Sequence, residues 1–212
     1  MMKQLLIIGA RGWGREVFAM VKNCRGYQTE FVIKGFLDDK SDALDGMAGY
    51  PPILDSVEDY EPQVNDVFCC ALGDNYWRKH YADIIINKGG SFINLIHKST
   101  YIGQNTKLGN GCIISCEVNI SCDIEIGDFV NIQRLVDVGH DVRIGDYCWL
   151  GTKCFIGGGA IIGDSTTIHT GAIVLPHILI GKNCLAGAGA VVIKKVKDGD
   201  TVFGNPAKVL KY

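Results

Sequence analysis

Val138-Gly139-His140-Asp141-Val142-Arg143-Ile144-Gly145-Asp146-Tyr147-Cys148-Trp149-Leu150-Gly151 contains three aliphatic-glycine steps, each six residues after the last. The phase extends both ways, from Ile102 through Leu108, Ile114, Ile120, Ile126 and Ile132 to Ile156, Ile162, Ile168, Val174, Ile180 and Val192, with Ala186 the one small member. The fifth place of the hexad is small or β-branched, as at Cys112, Val118, Val130, Cys148, Cys154, Ala160 and Cys184. A helix is excluded, because its apolar stripe recurs near 3.6 residues and drifts out of phase with six. A short strand whose inward side chains are two apart, followed by a tight turn, fits the spacing. Three such sides close a triangular coil of eighteen residues, and each coil buries its aliphatics only against its neighbours. The expected fold of this half is a parallel β-solenoid.

The hexads begin near Tyr101, which divides the 212-residue chain into two expected domains, 1–97 and 98–212. In the first, Lys3-Gln4-Leu5-Leu6-Ile7-Ile8 reads as a buried strand. It runs into Gly9-Ala10-Arg11-Gly12-Trp13-Gly14 and a helical stretch over Arg15 to Lys22. Strand, glycine-rich turn and helix open a Rossmann-like unit. The glycine spacing is not that of the dinucleotide fingerprint, but backbone N–H groups at a helix start still favour phosphate. A second strand, 31–37, ends at Asp38-Asp39, where a carboxylate can accept from a ribose or a base. A third, 66–72, ends at Gly73 and leads to a helix through Arg78 and Tyr81, and a last strand covers 92–96. The segment from Lys40 to Pro62 reads as loop.

Net charge of −2 gives no basis for nucleic-acid binding. With no secretory leader and no apolar run of about 18 residues, a cytoplasmic protein without membrane insertion is expected. Of nine cysteines, Cys112, Cys148, Cys154 and Cys184 hold inward hexad places and read as apolar filler. No C-x-x-C pair is present, so no metal is expected.

The hexads Ile144-Gly145-Asp146, Ile162-Gly163-Asp164 and Ile180-Gly181-Lys182 resemble the left-handed β-helix acyltransferases, as do the closing runs Ala186-Gly187-Ala188-Gly189-Ala190 and Gly204-Asn205-Pro206. The front half is similar to the nucleotide-sugar-binding domain of the branch acting in bacillosamine, perosamine and sialic-acid pathways, the PglD/NeuD-like acetyltransferases. The resemblance implies a Rossmann-like α/β domain followed by an all-β left-handed parallel β-helix. It also implies acetyl-CoA as co-substrate and a homotrimer with active sites between subunits. By position it places the nucleotide sugar on Arg11, Gly12, Trp13, Asp38, Asp39 and Gly73, acetyl-CoA along Trp149, Gly158, Thr170 and Ala188, and the acceptor near Gln133.

Among the hexads, Val138-Gly139-His140-Asp141 places an imidazole at an outward turn position with a carboxylate beside it. Histidine suits proton acceptance near neutral pH, and an adjoining acid fixes its tautomer and stabilises the imidazolium. His140 is therefore the expected general base and Asp141 its partner. One coil later the same corner is Gly158, whose N–H is the expected oxyanion donor; one coil earlier it is Cys122. The expected activity is acetylation of the amino group of a UDP- or dTDP-linked amino-deoxy sugar for surface glycan synthesis. The alternatives are O-acetylation of a sugar such as sialic acid, a longer acyl group, or a non-catalytic solenoid that binds nucleotide sugars.

Overall fold

The computed structural model describes residues 2–210; residues 1, 211 and 212, the outer ends of the two expected domains, lie outside the described residues. The chain forms two compact units, Met1–His97 and Lys98–Tyr212.

In the first unit the elements are β1 (Lys3–Ile8), α1 (Gly12–Val21), β2 (Phe31–Leu37), β3 (Ile53–Asp55), β4 (Asp66–Cys70), α2 (Asn75–Asn87), β5 (Ser91–Phe92) and β6 (Leu95–Ile96). A parallel sheet runs β3-β2-β1-β4-β5. β1 is apolar along its inner length because both of its faces are covered, and Leu5, Leu6 and Ile7 are fully buried. With Ile8, Leu37, Phe68, Cys70, Ile85 and Val57 in its core, the sheet presents the ends of β1, β2 and β4 at one edge. The chain leaves β1 towards β2 on one side and reaches β4 on the other, so this edge is a topological switch point, where open α/β sheets hold ligands.

Local bounds differ from the sequence expectation in four places. α1 starts at Gly12, not Arg15, with Arg11 extended as N-cap and accepting from Arg15 N at 2.9 Å. Close packing overrides glycine's poor helix propensity there: a β-carbon on Gly14 would stand 1.8 Å from Gly9 O. β4 stops at Cys70, two residues early, and the expected strand 92–96 is divided into β5 and β6. β3 lies inside the stretch read as loop.

The second unit is a parallel β-helix of two-residue strands. Its first face stacks Tyr101–Ile102, Asn119–Ile120, Asp137–Val138, Phe155–Ile156, Ile173–Val174 and Val191–Val192. The second begins at Lys107–Leu108 and ends at Leu179–Ile180; the third includes Asn131–Ile132, Trp149–Leu150 and Thr167–Ile168. Partners are one coil apart, as in Val138 with Ile120 and Ile156. Hexad aliphatics such as Ile120, Val138, Leu150 and Ile156 are 0 % exposed, and the fifth-place residues sit beside them. The buried Cys112, Cys148, Cys154 and Cys184 are free thiols, and burial pushes Cys154 up to about 12, so it is an inert filler at neutral pH.

At the corner between the second and third faces a ladder of carboxylates satisfies the turns. Asp128 accepts from Asn110 N at 2.7 Å, Asp146 from Asp128 N at 2.8 Å, and Asp164 from Asp146 N at 3.2 Å. The preceding residue must be glycine, since a β-carbon on Gly145 would meet Asp164 N at 2.7 Å. Lys182 pairs with Asp164 at 2.7 Å, and its own N–H is accepted by Asp198 at 3.0 Å, the next rung. Among the described residues no helix is long and apolar enough to cross a membrane.

Candidate active site

At the sheet edge of the first unit lies a cleft of about 430 Å³, lined among others by Gly9, Arg11, Trp13, Asp38, Asp39, Leu72, Gly73, Asp74, Trp77 and Tyr81. Five of the six residues expected to hold the nucleotide sugar line it: Arg11, Trp13, Asp38, Asp39 and Gly73. Gly12 is not part of the lining, but a β-carbon there would meet nothing within 4 Å, so the helix start is open to an approaching group.

The two acids after β2 have different work. Asp38 is engaged by the loops, accepting from Ala10 N at 2.8 Å and Lys40 N at 3.0 Å, with the Arg11 guanidinium 3.9 Å away. Asp39 receives only side chains, accepting from the Tyr81 hydroxyl, with Glu58 beside it. Burial and the carboxylate of Asp39 push the Tyr81 hydroxyl up. Burial, with Asp39 adjacent, also raises the Glu58 carboxyl.

Sequence reasoning missed Asp74 and Trp77 here, and Glu58 beside Asp39, and used Tyr81 only to trace α2. Asp74 caps α2 by accepting from Trp77 N at 3.0 Å, a signal readable as an Asp ahead of a helical run. Trp77 and Tyr81, four apart on one helix face, stack with ring centroids 5.8 Å apart and a 26° interplanar angle. Glu58 fell in the unread segment and had no signal.

On the β-helix, His140 and Asp141 occupy the turn between the first and second faces. His140 Nδ1 lies 2.7 Å from Asp141 Oδ2, and the side chains are 62 % and 67 % exposed. A carboxylate cannot donate, so the contact puts a proton on Nδ1 and leaves the Nε2 lone pair for accepting another. Asp141 has φ of +58°, the left-handed conformation that recurs once per turn along the solenoid, and this turns its side chain back to the imidazole.

Gly158 lies one coil on, at the same corner. A β-carbon there would stand 2.8 Å from His140 Nε2, so the ring rests against this glycine. Its neighbours are committed to the coil ladder, Gly157 N donating to Val174 O and Gly159 N to His140 O, each at 2.8 Å. The half-buried Cys122 stands one coil before, with a free thiol.

The remaining expected residues lie elsewhere on the same unit. Trp149 is half-buried on the third face, between Asn131 and Thr167. Thr170 and Ala188 stack at the turn between the third and first faces, where Gly189 N donates to Thr170 O at 3.0 Å. Gln133 occupies that turn too, 8 % exposed, its Nε2 buried without a partner among the described residues. One chain therefore divides the expected set: His140, Asp141 and Gly158 share one edge of the prism, and Thr170, Ala188 and Gln133 share another. Among the described residues no group of three or more His, Cys, Asp or Glu side chains is arranged to hold a metal ion.

A Rossmann-like domain followed by a β-helix whose turn carries an exposed His–Asp pair is the architecture of the hexapeptide-repeat acyltransferases. Comparison narrows the class: residues 4–85 match the PglD N-terminal domain, and residues 141–176 match the hexapeptide repeat of succinyl-transferase. The chain thus combines a PglD N-terminal domain with hexapeptide repeats, and solved structures that it resembles along its whole length are sugar acetyltransferases. A mutant of perosamine N-acetyltransferase from Caulobacter crescentus, in complex with CoA and GDP-perosamine, superposes with a TM-score of 0.89 at 26 % identity, over 100 % of this chain and 99 % of that one. The acetyltransferase domain of PglB from Neisseria gonorrhoeae, in complex with acetyl coenzyme A, gives 0.87 at 25 % identity, over 99 % of this chain and 100 % of that one. The serine acetyltransferase of Bacillus pumilus is 49 % identical over 47 residues, and the match spans 22 % of each protein.

Proposed function

We propose that this protein transfers the acetyl group of acetyl-CoA to the amino group of a nucleotide-linked amino-deoxy sugar, in the cytoplasm, for a surface glycan. The observation that carries the reading is the exposed His140–Asp141 pair resting on Gly158. A sugar ammonium has no lone pair, so attack on the thioester requires a proton acceptor. His140 Nε2 takes that proton while Asp141 stabilises the imidazolium formed. The amine then adds to the thioester carbonyl, and the developing oxyanion is met by the amide of Gly158. The carbon–sulfur bond breaks and CoA leaves as its thiol.

Within this reading the cleft of the first unit holds the nucleotide. Phosphate sits at the start of α1, where Gly12 leaves space, and Asp39 accepts from ribose or base. Acetyl-CoA follows Thr170 and Ala188, with Trp149 and Gln133 near its course. Because these side chains lie on a different edge of the prism from His140, a site that uses both must join two chains. A homotrimer closed by cyclic symmetry meets that requirement.

The test is release of CoA thiol from acetyl-CoA with a panel of UDP-, dTDP- and GDP-linked amino sugars, the GDP compounds being included because a structural relative binds GDP-perosamine. Turnover with an amino sugar and its absence with the corresponding hydroxy sugar support N-acetylation. Turnover of the hydroxy sugars favours O-acetylation instead, and tight nucleotide-sugar binding without turnover favours a non-catalytic solenoid.

A further inference from the structure

A second imidazole stands on the far side of the glycine turn from His140. At each coil the corner between the first and second faces carries two turn residues, and the pairs in order are Gln104-Asn105, Cys122-Asp123, His140-Asp141, Gly158-Gly159 and Pro176-His177. The ladder fixes that order, with Gly159 N donating to His140 O at 2.8 Å and His177 N to Gly158 O at 2.9 Å. His140 and His177 thus belong to coils on opposite sides of Gly158-Gly159, and both rings close on that turn. A β-carbon on Gly158 would stand 2.8 Å from His140 Nε2, and one on Gly159 would overlap the His177 ring, with Nδ1 the nearest atom and Cε1 at 2.8 Å. His177 takes the left-handed turn conformation, φ +61°, and is exposed. Its Nε2 is the ring nitrogen that stands off the glycines.

The edge changes character at this turn. Beside the pairs run Gly103, Ser121, Gly139, Gly157, Leu175 and Ile193, the residue after each first-face strand. Up to Gly157 these residues are small, and the pairs next to them, such as Gln104-Asn105, are polar. Past Gly157 they are large aliphatics left in the open, Leu175 at 38 % exposed and Ile193 at 40 %. On the His140 side the edge therefore offers hydrogen-bonding groups; on the His177 side it offers one imidazole beside aliphatic surface. Apolar lining with a few placed polar groups is the pattern that orients a ligand of mixed character. Of the two reactants, the arm of acetyl-CoA has that character, methylene and methyl groups interrupted by amide carbonyls and ending in the thioester carbonyl. A nucleotide sugar has no such stretch.

Deepening the acetyl-transfer reading on which it rests, we propose that His177 is a further acetyl-CoA-binding residue, whose ring N–H donates to a carbonyl oxygen of the coenzyme arm and holds that arm along Leu175 and Ile193 as it reaches Gly158. A neutral imidazole carries one N–H and a charged one carries two, so a carbonyl oxygen is a partner in either state. With Nδ1 against Gly159, Nε2 is the donor that reaches outward. The acceptor amine meets His140 from one side of the turn, and the thioester arrives from the other. The Gly158 amide lies between the two approaches. No bond is made or broken at His177, which acts by holding the donor substrate. The thioester and the amides of the arm both present the oxygen required, and CoA itself, which lacks the thioester, tells them apart.

The experiment compares the full-length wild type with His177→Ala and His177→Gln, using acetyl-CoA and the best amino sugar of the panel above, and titrates each protein with acetyl-CoA and with CoA by calorimetry. Ala removes the donor, and Gln keeps one. The expected result is a rise of about three- to tenfold in KM for acetyl-CoA in His177→Ala, with KM for the amino sugar unchanged and partial recovery in His177→Gln. An equal loss of affinity for CoA assigns the bond to an amide of the arm, and a loss confined to acetyl-CoA assigns it to the thioester carbonyl. An unchanged KM for acetyl-CoA in His177→Ala, or an equal rise in both KM values, overturns the assignment and leaves the acetyl-transfer reading, which rests on His140, standing. If the wild type turns over no sugar, that reading falls and the titrations alone decide: weaker acetyl-CoA binding by His177→Ala upholds the assignment, and equal binding overturns it.

Discussion

His140 Nε2 lies where a β-carbon on Gly158 would stand 2.8 Å from it, so the imidazole rests on a residue one coil away that must have no side chain. The eighteen-residue stacking of the β-helix creates this contact. The same absence of a side chain leaves the Gly158 amide accessible from the side on which the imidazole lies. The imidazole and the amide proposed as base and oxyanion donor are thereby fixed to each other by the coil ladder, with no flexible loop between them.

Gly158→Ala is therefore expected to displace the ring and to narrow the space above the amide. The turnover number should fall by about 10- to 100-fold, while thermal stability changes by less than about 1 kcal/mol, because the displaced group is the exposed end of a side chain. Steady-state kinetics alongside a thermal melt separates the two effects; a large loss of stability would mean that the turn itself had failed.

In the first unit, Asp39→Asn and Tyr81→Phe disrupt a carboxylate–hydroxyl pair that lines the cleft. Each is expected to weaken binding of the nucleotide sugar by about tenfold, roughly 1.4 kcal/mol, with little change in melting temperature. Gly12→Val tests the phosphate position separately, since it fills space that is empty in the folded chain. Calorimetric titration with the substrate and with its nucleoside diphosphate reads both.

Acid stability should trace Asp66. Burial alone would raise its carboxyl, but the bonds from Lys34 Nζ at 2.8 Å, the Tyr60 hydroxyl at 2.6 Å and Gln63 N at 2.8 Å outweigh it and hold the group below its ordinary value. A carboxyl depressed in the folded state contributes stability that is complete above the unfolded value, near 3.9, and is lost as pH falls through the lower folded one. Asp66→Asn should cost about 2–3 kcal/mol at pH 7 and lessen the fall in stability between about pH 4 and pH 2. Urea unfolding across that range, compared with the wild type, checks the sign.

The carboxylate ladder makes a prediction about the solenoid. Asp146→Ala removes the acceptor of Asp128 N and leaves Asp164 still bonded to the amide of residue 146. The expected cost is about 1 kcal/mol, or a melting shift of about 2–4 °C, with no effect on acetyl transfer at the opposite corner. A collapse of activity would show that this corner is coupled to the site.

The β-helix was legible in the sequence because the hexads repeat one physical instruction: an inward aliphatic, often followed by glycine, and a fifth place that is most often small or β-branched. Sixteen successive coil sides, fifteen of them with a branched aliphatic, cannot agree by accident on a phase incompatible with a helix. His140 stood out as an imidazole at an outward turn position with a carboxylate, Asp141, directly after it. The first unit was legible only where strands end in glycine or acid, which yielded Arg11, Asp39 and Gly73. Trp77 and Asp74 reach the cleft through tertiary packing, and β3 is held by pairing with β2, neither of which leaves a periodic trace. The early start of α1 was hidden because the contact of Gly14 with Gly9 O overrides the local preference of glycine.

The central claim, that the imidazole of His140 accepts the acceptor's proton at this turn, is tested most directly by His140→Ala. Thiol release from acetyl-CoA is measured at saturating amino-sugar substrate, with a melt and a nucleotide-sugar titration to show that folding and binding persist. The account predicts a fall of at least about 100-fold in turnover with the dissociation constant for the nucleotide sugar nearly unchanged. A variant that keeps the wild-type rate would contradict it.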